Sequence, residues 1–224
     1  MRRGRAAGIF ITGTDTGVGK TFVGTGIARA LAARGVDVGV MKPAETGCSM
    51  RGGTLVPQDA RDLLAASGAD DPIDLVNPYR FQAPVAPMVA AEEQGRTVVL
   101  ARIMSAYRRL RKRHEFLVVE GAGGIMVPLS RRRSYLDLAA AIRLPVLIIA
   151  RPDLGTINHT VLTVMALRSR EIAISSIVVN FSRRPERGAA ERTNPSVLER
   201  LTGIPVLTVP HGCGDQSLLA GRLR

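Results

Sequence analysis

The chain has 224 residues, of which 46% are hydrophobic and 22% charged, and this suits one α/β domain spanning residues 1–224. No run of about 18 apolar residues occurs, so the sequence predicts no membrane partner. The basic start and the apolar stretch after it run straight into a glycine-rich motif, which indicates a first strand rather than a signal peptide and predicts a cytoplasmic protein. The two cysteines, Cys48 and Cys213, are not spaced from other residues as metal ligands are, and we expect both to be reduced thiols.

The formal net charge is +12, and arginine-rich runs stand at residues 108–113 and 131–133. Such runs resemble nucleic-acid patches, but no aromatic platform or known reader motif accompanies them. We therefore interpret them as solvated surface and expect no nucleic-acid partner. Only three lysines occur, at Lys20, Lys42 and Lys112. A lysine kept in an arginine-biased chain suggests a position that needs a compact ammonium group.

Apolar runs alternate with stretches of helical spacing along the chain. The runs predict strands at residues 8–14, 36–41, 115–119, 145–150, 175–181 and 205–209. The stretches between them predict helices at residues 21–33, 59–67, 98–113, 135–142, 157–168 and 196–201. This alternation predicts a doubly wound α/β fold, with a mostly parallel sheet and helices on both faces. Residues 52–85, with four prolines, predict a long connection that carries one helix and covers the site.

A glycine-rich string, Gly-Thr-Asp-Thr-Gly-Val-Gly-Lys-Thr, occupies residues 13–21 between the first predicted strand and helix. Backbone N–H groups and a helix N-terminus in such a loop bind phosphates. Lys20 is placed to reach the β- and γ-phosphates of ATP, and the Thr21 hydroxyl to bind Mg²⁺. The loop is one residue longer than the common form, and it predicts a fold of the P-loop NTPase type.

Polar residues also follow later strands, where ligands of doubly wound folds bind. Lys42 begins the string Lys-Pro-Ala-Glu-Thr-Gly and lies where it can neutralise a transferring phosphoryl group. Glu120 begins Glu-Gly-Ala-Gly-Gly and is typical of a second acidic group for Mg²⁺. Asp59, by its chemistry alone, is a first-turn helix acid. Asn180 either faces an adenine edge or caps a turn, and the residues leave both open.

Taken together, these strings resemble the dethiobiotin synthetase family over most of the chain. The matching strings are residues 13–21, 42–47, Asp59, Asn77-Pro78-Tyr79 with Phe81, 120–124, 155–159 and Asn180. The resemblance implies an ATP- and Mg²⁺-dependent ring closure of 7,8-diaminopelargonate with CO₂, or bicarbonate as its source. The product is dethiobiotin, formed through a carbamate and a carbamic–phosphoric anhydride. The resemblance also implies a homodimer.

The resemblance assigns roles by position. The residues around the reacting groups are Lys42, Lys20 and Thr16. The residues that bind the nucleotide are Thr14, Asp15, Gly17, Val18, Gly19, Lys20, Thr21 and Asn180. The residues that hold Mg²⁺ are Thr21, Asp59 and Glu120. The residues that bind the substrate are Thr46, Gly121, Thr156, Ile157 and Asn158. The last three open a helix whose N-terminus would bind the substrate carboxylate in the partner subunit's site.

Two other functional classes share parts of this pattern. An amidoligase acting on a cobalamin precursor normally adds a glutaminase domain with a nucleophilic cysteine, for which we expect this sequence to be too short. A partition-type ATPase that dimerises on DNA would place a further lysine early in the loop, where Thr14, Asp15 and Thr16 stand. Two departures from the family are visible: Gly17 stands where some relatives have an acid, and residues 183–193 carry no assigned role.

Overall fold

A computed structural model describes residues 7–184, 188–213 and 216–221. Its strands are β1 (Ala7–Gly13), β2 (Val38–Met41), β3 (Ala44–Glu45), β4 (Ser49–Arg51), β5 (Thr54–Val56), β6 (Tyr79–Arg80), β7 (Phe116–Gly124), β8 (Pro128–Ser130), β9 (Arg133–Ser134), β10 (Val146–Ala150), β11 (Ile174–Asn180) and β12 (Val206–Val209). Its helices are α1 (Lys20–Ala32), α2 (Gln58–Ser67), α3 (Ile73–Val76), α4 (Pro87–Glu92), α5 (Leu100–Arg113), α6 (Tyr135–Ile142), α7 (Thr156–Arg168), α8 (Ala189–Thr202) and α9 (Ser217–Gly221).

Six of these strands form one parallel sheet in the order β12-β11-β10-β1-β7-β2. Alternate residues of β1 enter two hydrophobic clusters: Phe10 packs on one face, and Ile9 and Ile11 pack on the other. The first face is covered by α5, α6 and α7, and the second by α1, α2 and α9. Because both faces are buried, the strands are continuous apolar runs. The predicted doubly wound fold is confirmed.

All six predicted strands and all six predicted helices are present, and most of their ends differ from the prediction by one or two residues. Three features differ more. β7 continues to Gly124 past a register irregularity after Glu120, so this carboxylate lies at the last regular pair with β1 rather than beyond the strand. The connection at residues 52–85 carries two helices rather than the one predicted. The sequence did not predict α3, because this helix is four residues long and too short to show a period.

The third difference is the start of α8. The predicted start at residue 196 is wrong, because α8 begins at Ala189 and contains Pro195 in its interior. Buried Asn194 donates from Nδ2 to the Pro152 carbonyl at 2.7 Å. This contact fixes the early turns of α8 against the segment between β10 and α7, so tertiary contact outweighs the proline. Across the described part of the chain, no helix has the length and apolarity that crossing a bilayer requires.

A histidine ties three elements together at the amino edge of the sheet. His114 Nδ1 lies 2.7 Å from Asp37 Oδ1, just before β2, and Nε2 lies 2.6 Å from Asp71 Oδ2, between α2 and α3. Arg113, the last residue of α5, places Nε 2.6 Å from the other Asp71 oxygen. The Asp71 side chain has no exposed surface, so its charge depends on these two partners.

We predict that His114→Ala lowers the free energy of unfolding by about 2–3 kcal/mol, because it leaves a buried carboxylate short of one hydrogen bond. The matched control is His159→Ala, which makes the same change at an exposed histidine and should cost no more than about 0.5 kcal/mol. Urea unfolding followed by circular dichroism measures both. Equal losses in the two variants would contradict this role for His114.

Candidate functional site

The glycine-rich loop joins β1 to α1 at the carboxyl edge of the sheet. Gly17 and Gly19 have φ angles of 73° and 91°, in the left-handed region that favours glycine. Behind the loop, Asn180 ends β11 and donates from Nδ2 to the Val18 carbonyl at 2.9 Å. A Cβ atom on Gly19 would lie 2.1 Å from that same nitrogen. The end of β11 therefore braces the loop at close range.

A second brace reaches the loop from β10. Arg151 directly follows β10, and its Nη2 lies 2.6 Å from Asp15 Oδ2, while Asp15 Oδ1 accepts from the Thr16 N–H at 2.7 Å. The Asp15 carbonyl accepts from Lys20 Nζ at 3.0 Å. Exposed ion pairs contribute about 1 kcal/mol or less to the free energy of unfolding. The pair between Arg151 and Asp15 therefore affects the conformation of the loop more than the stability of the fold. Nothing in the sequence pairs Arg151 with the loop, and the prediction missed it.

Lys42 follows β2, and its ammonium group lies between two carboxylates. Nζ is 2.8 Å from Asp59 Oδ2 at the start of α2 and 2.5 Å from Glu120 Oε1 on β7. The Thr21 hydroxyl donates to Glu120 Oε1 at 2.8 Å. The Gly121 carbonyl lies 3.5 Å from Lys42 Nζ. We call Lys42, Asp59, Glu120 and Thr21 the lysine–carboxylate cluster, and it unites one predicted catalytic lysine with all three predicted Mg²⁺ ligands.

The two site lysines differ in their electrostatic surroundings. Burial alone would lower the pKa of Lys42, but Glu120 and Asp59 hold that pKa well above its ordinary value. Burial would likewise raise the pKa of Asp59, and Lys42 keeps it below its ordinary value. Burial and the neighbouring Lys42 charge lower the pKa of Lys20 to about 8. Lys42 is thus paired with carboxylates, whereas Lys20 donates to a backbone carbonyl and forms no ion pair among the described residues.

Glu45 caps the helix that carries Asp59. α2 begins after Pro57, whose side chain cannot accept a hydrogen bond. The two Glu45 carboxylate oxygens instead accept from the N–H groups of Asp59 and Ala60, at 3.0 Å each, which are the groups that a local N-cap side chain normally binds. Burial raises the pKa of Glu45. The sequence analysis gave Glu45 no role, because its partners lie 14 and 15 residues away.

Two more buried side chains fix the backbone beside Lys42. Asn77 donates from Nδ2 to the Lys42 carbonyl at 2.7 Å, and the Tyr135 hydroxyl donates to the Ala44 carbonyl at 3.3 Å. The Lys42 N–H donates to the Val76 carbonyl at 2.9 Å. The backbone from which the Lys42 side chain extends is therefore fixed at both its N–H and its carbonyl group. Asn77 was part of the family resemblance without a role, and Tyr135 gave no signal beyond an aromatic residue at a helix start.

Most of the predicted residues meet in one cleft of about 510 Å³. Its polar and glycine lining residues are Thr16, Gly17, Gly19, Lys20, Thr21, Lys42, Glu45, Thr46, Asp59, Glu120 and Gly123. Its apolar lining residues are Pro84, Val85, Ala86, Pro87, Ala122 and Val127. The end of the long connection at residues 52–85 thus forms part of the wall. The cleft combines ammonium and carboxylate groups with aliphatic surface.

Other predicted residues lie around the cleft rather than in it. Thr14, Asp15 and Val18 complete the loop, and the Thr14 N–H donates to the Ile149 carbonyl at 2.9 Å. Gly121 and Asn180, whose contacts are given above, do not line the cleft either. Thr156, Ile157 and Asn158 open α7 beyond the end of β10. Among the described residues, these three do not line the cleft of their own chain.

Comparison with known proteins identifies relatives of similar sequence. A family model described as an AAA domain matches residues 7–211. A protein of Anaeromyxobacter dehalogenans (strain 2CP-C), named ATP-dependent dethiobiotin synthetase BioD, is 49% identical over 87% of this chain and 85% of its own length. A protein of the same name from Thermodesulfovibrio yellowstonii is 41% identical over 91% of this chain and 88% of its own length.

Solved structures of similar fold are more distant in sequence. A chain of the MinC:MinD cell division protein complex of Aquifex aeolicus has a TM-score of 0.60 at 16% identity and covers 95% of this chain and 86% of that chain. A ParA family ATPase from Chlorobium tepidum has a TM-score of 0.56 at 16% identity, covering 97% of this chain and 91% of that chain. Such identities show the fold alone, and that fold is the predicted P-loop NTPase type.

We predict that Glu45→Ala weakens the start of α2 and lowers the free energy of unfolding by about 1 kcal/mol, because two backbone N–H groups lose their acceptor. Adding Pro57→Ser to this variant supplies a local cap and should recover much of the loss. Amide hydrogen exchange at Asp59 and Ala60 reports on the cap directly. Exchange that is unchanged in Glu45→Ala, or no recovery with the added serine, would contradict the capping role.

Proposed function

Because the chain belongs to the ATP-dependent dethiobiotin synthetase family and is an ATP-dependent ligase, we propose that it closes the ureido ring of dethiobiotin from 7,8-diaminopelargonate, CO₂ and ATP. Bicarbonate would serve as a source of CO₂. The observation that carries the proposal is the cleft itself. Lys20 and Lys42 both line it, together with residues of the glycine-rich loop and with aliphatic residues that suit the alkyl chain of the substrate.

The proposed reaction has three steps. One substrate amine adds to CO₂ and loses a proton, which gives a carbamate. A carbamate oxygen then bonds to the γ-phosphorus as the bond to ADP breaks, which gives a carbamic–phosphoric anhydride. The second amine attacks the carbonyl carbon and loses its proton, while phosphate leaves with the electron pair of the C–O bond. Each step needs two groups held against each other, and positioning supplies much of the rate.

The phosphate side of the cleft supplies the charge that this chemistry needs. Thr14, Asp15, Gly17, Val18 and Gly19 would present the loop backbone to the nucleotide, with Lys20 and Thr21 on its β- and γ-phosphates. Lys42 and Thr16 would act where negative charge builds on the transferring phosphoryl group. Asn180 would face adenine with Oδ1, since its Nδ2 is bonded to the loop.

We further propose that Thr21, Asp59 and Glu120 hold Mg²⁺. Hydroxyl and carboxylate oxygens are the ligands that this cation prefers. Glu120 Oε2 is buried and has no hydrogen-bond partner among the described residues, as expected of an oxygen reserved for a cation. When bound, Mg²⁺ would supply positive charge that offsets the charge of the phosphates.

The substrate side would involve two chains. Thr46 and Gly121 would contact the substrate beside Lys42, and Thr156, Ile157 and Asn158 would bind its carboxylate from the partner subunit. The start of α7 does not line its own cleft, so a role in substrate binding calls for a second chain. Leu162 and Met165 leave more than half of their surface exposed on α7, and Leu154 just before it is 93% exposed, which supports a covered face there in a homodimer.

The proposal predicts ADP release that depends on both diaminopelargonate and bicarbonate. Lys42→Gln should still bind Mg-ATP but lose turnover by roughly 100-fold, because charge on the transferring group is no longer offset. Lys112→Gln makes the same change at an exposed lysine on α5 and serves as the control. ADP release without either substrate would count against the reaction, and a raised KM at unchanged kcat would count against Lys42.

The shared site has its own test. Lys20→Ala and Asn158→Ala should each be nearly inactive alone, and unfolding and refolding them together makes about half of the dimers mixed. One site of each mixed dimer then carries both defects and the other carries neither, so about a quarter of wild-type activity should return. A tag pull-down confirms mixing. Mixed dimers without recovered activity would show that each site lies within one chain.

A further inference from the structure

The Lys42 ammonium occupies the space between the two carboxylates proposed to bind Mg²⁺. Lys42 Nζ lies 2.8 Å from Asp59 Oδ2 and 2.5 Å from Glu120 Oε1. The contact with Glu120 is almost fully buried. Glu120 Oε1 also accepts the Thr21 hydroxyl proton, so all three proposed ligands are already engaged with this lysine or with one another. Glu120 Oε2 has no hydrogen-bond partner among the described residues, but a cation that bound this oxygen together with Asp59 would still lie beside the ammonium, which contacts both carboxylates.

We infer that Lys42 and the divalent cation compete for Asp59 and Glu120, and that Lys42 turns into the cleft, toward the anionic substrate, once the cation is bound. This inference rests on the proposed Mg²⁺ site. The geometry favours replacement of Lys42 by the cation at these carboxylates over binding of both at the same time. Two carboxylates neutralise one ammonium with charge to spare, but an ammonium and a divalent cation in contact with the same two groups repel each other at short range.

The surroundings of Lys42 allow this movement in the side chain alone. Asn77 and Val76 hold the Lys42 backbone at its carbonyl and its N–H. The flexible four-carbon side chain opens onto the cleft, which Lys42 itself lines. Lys20 also lines the cleft, and its positive charge repels the Lys42 ammonium unless an anion stands between them. An anionic ligand is therefore the natural destination of a released Lys42.

The consequence is an order of events. Without the cation, Lys42 is bound to carboxylates and is not free to stabilise a carbamate or a phosphoryl group. Once the cation is loaded with the nucleotide, Lys42 becomes free and the carboxylates remain neutralised. Lys42 thus holds the Mg²⁺ ligands in place beforehand and acts on the substrate afterwards.

The test measures Mn²⁺ binding in the presence of ADP by water-proton relaxation. Competition predicts that Lys42→Met tightens Mn²⁺ binding by about tenfold or more, since the metal no longer displaces an ammonium. Lys112→Met, at an exposed position, should leave the affinity unchanged. Crystal structures of the wild type with ADP in EDTA and with ADP and Mn²⁺ follow the side chain, and the Mn²⁺ anomalous signal locates the ion. We expect Lys42 Nζ to leave both carboxylates only when Mn²⁺ is present.

The outcomes separate the inference from the function on which it rests. Mn²⁺ bound beside a Lys42 that still contacts both carboxylates, or an affinity that Lys42→Met does not tighten, would overturn the competition and leave the metal site standing. ADP alone displacing Lys42 would also overturn it. Wild-type Mn²⁺ affinity in both Asp59→Asn and Glu120→Gln would instead remove the proposed metal site itself.

Discussion

Glu120 places a fully buried carboxylate on β7, between β1 and β2, and its neighbours are arranged around that charge. A buried charge without partners costs several kcal/mol, so Glu120 needs the Lys42 ammonium and the Thr21 hydroxyl. Lys42 in turn forms an ion pair with Asp59, which lies at the start of α2. That helix start has no local cap and depends on Glu45. The strand order β1-β7-β2 brings these residues to one edge from positions far apart in the sequence.

The lining of the cleft is chemically mixed. Its ammonium, hydroxyl and carboxylate groups suit phosphate and a cation, and its aliphatic residues suit an alkyl chain. The arginine-rich end of α5 lies at the opposite edge of the sheet, since α5 leads into the start of β7. The arginine-rich run at residues 108–113 is therefore remote from the lysines that line the cleft.

The sequence was sufficient for features that depend on local pattern. Continuous apolar runs predicted the strands, and the loop at residues 13–21 predicted the P-loop NTPase type of fold, because a buried parallel strand and a glycine-rich loop are each recognisable within a few residues. Asp59 could not be told from an ordinary first-turn acid, since only its contact with Lys42 distinguishes it. The Glu45 cap and the Arg151 brace were missed for the same reason: each joins residues that are separate in the chain and meet only in the fold.

The contact between Asn180 and Gly19 limits how this phosphate loop can be exchanged with another. With a Cβ position at residue 19 only 2.1 Å from the Asn180 amide, the loop and the end of β11 form a single fitted pair. A loop grafted from another protein would need glycine at that point, because the φ angle of 91° disfavours other residues even where Asn180 is replaced by a smaller one. Residue 19 is therefore restricted to glycine both by its own backbone angle and by the end of a strand 161 positions further along the chain, so a change at position 180 alone does not make room for a side chain there.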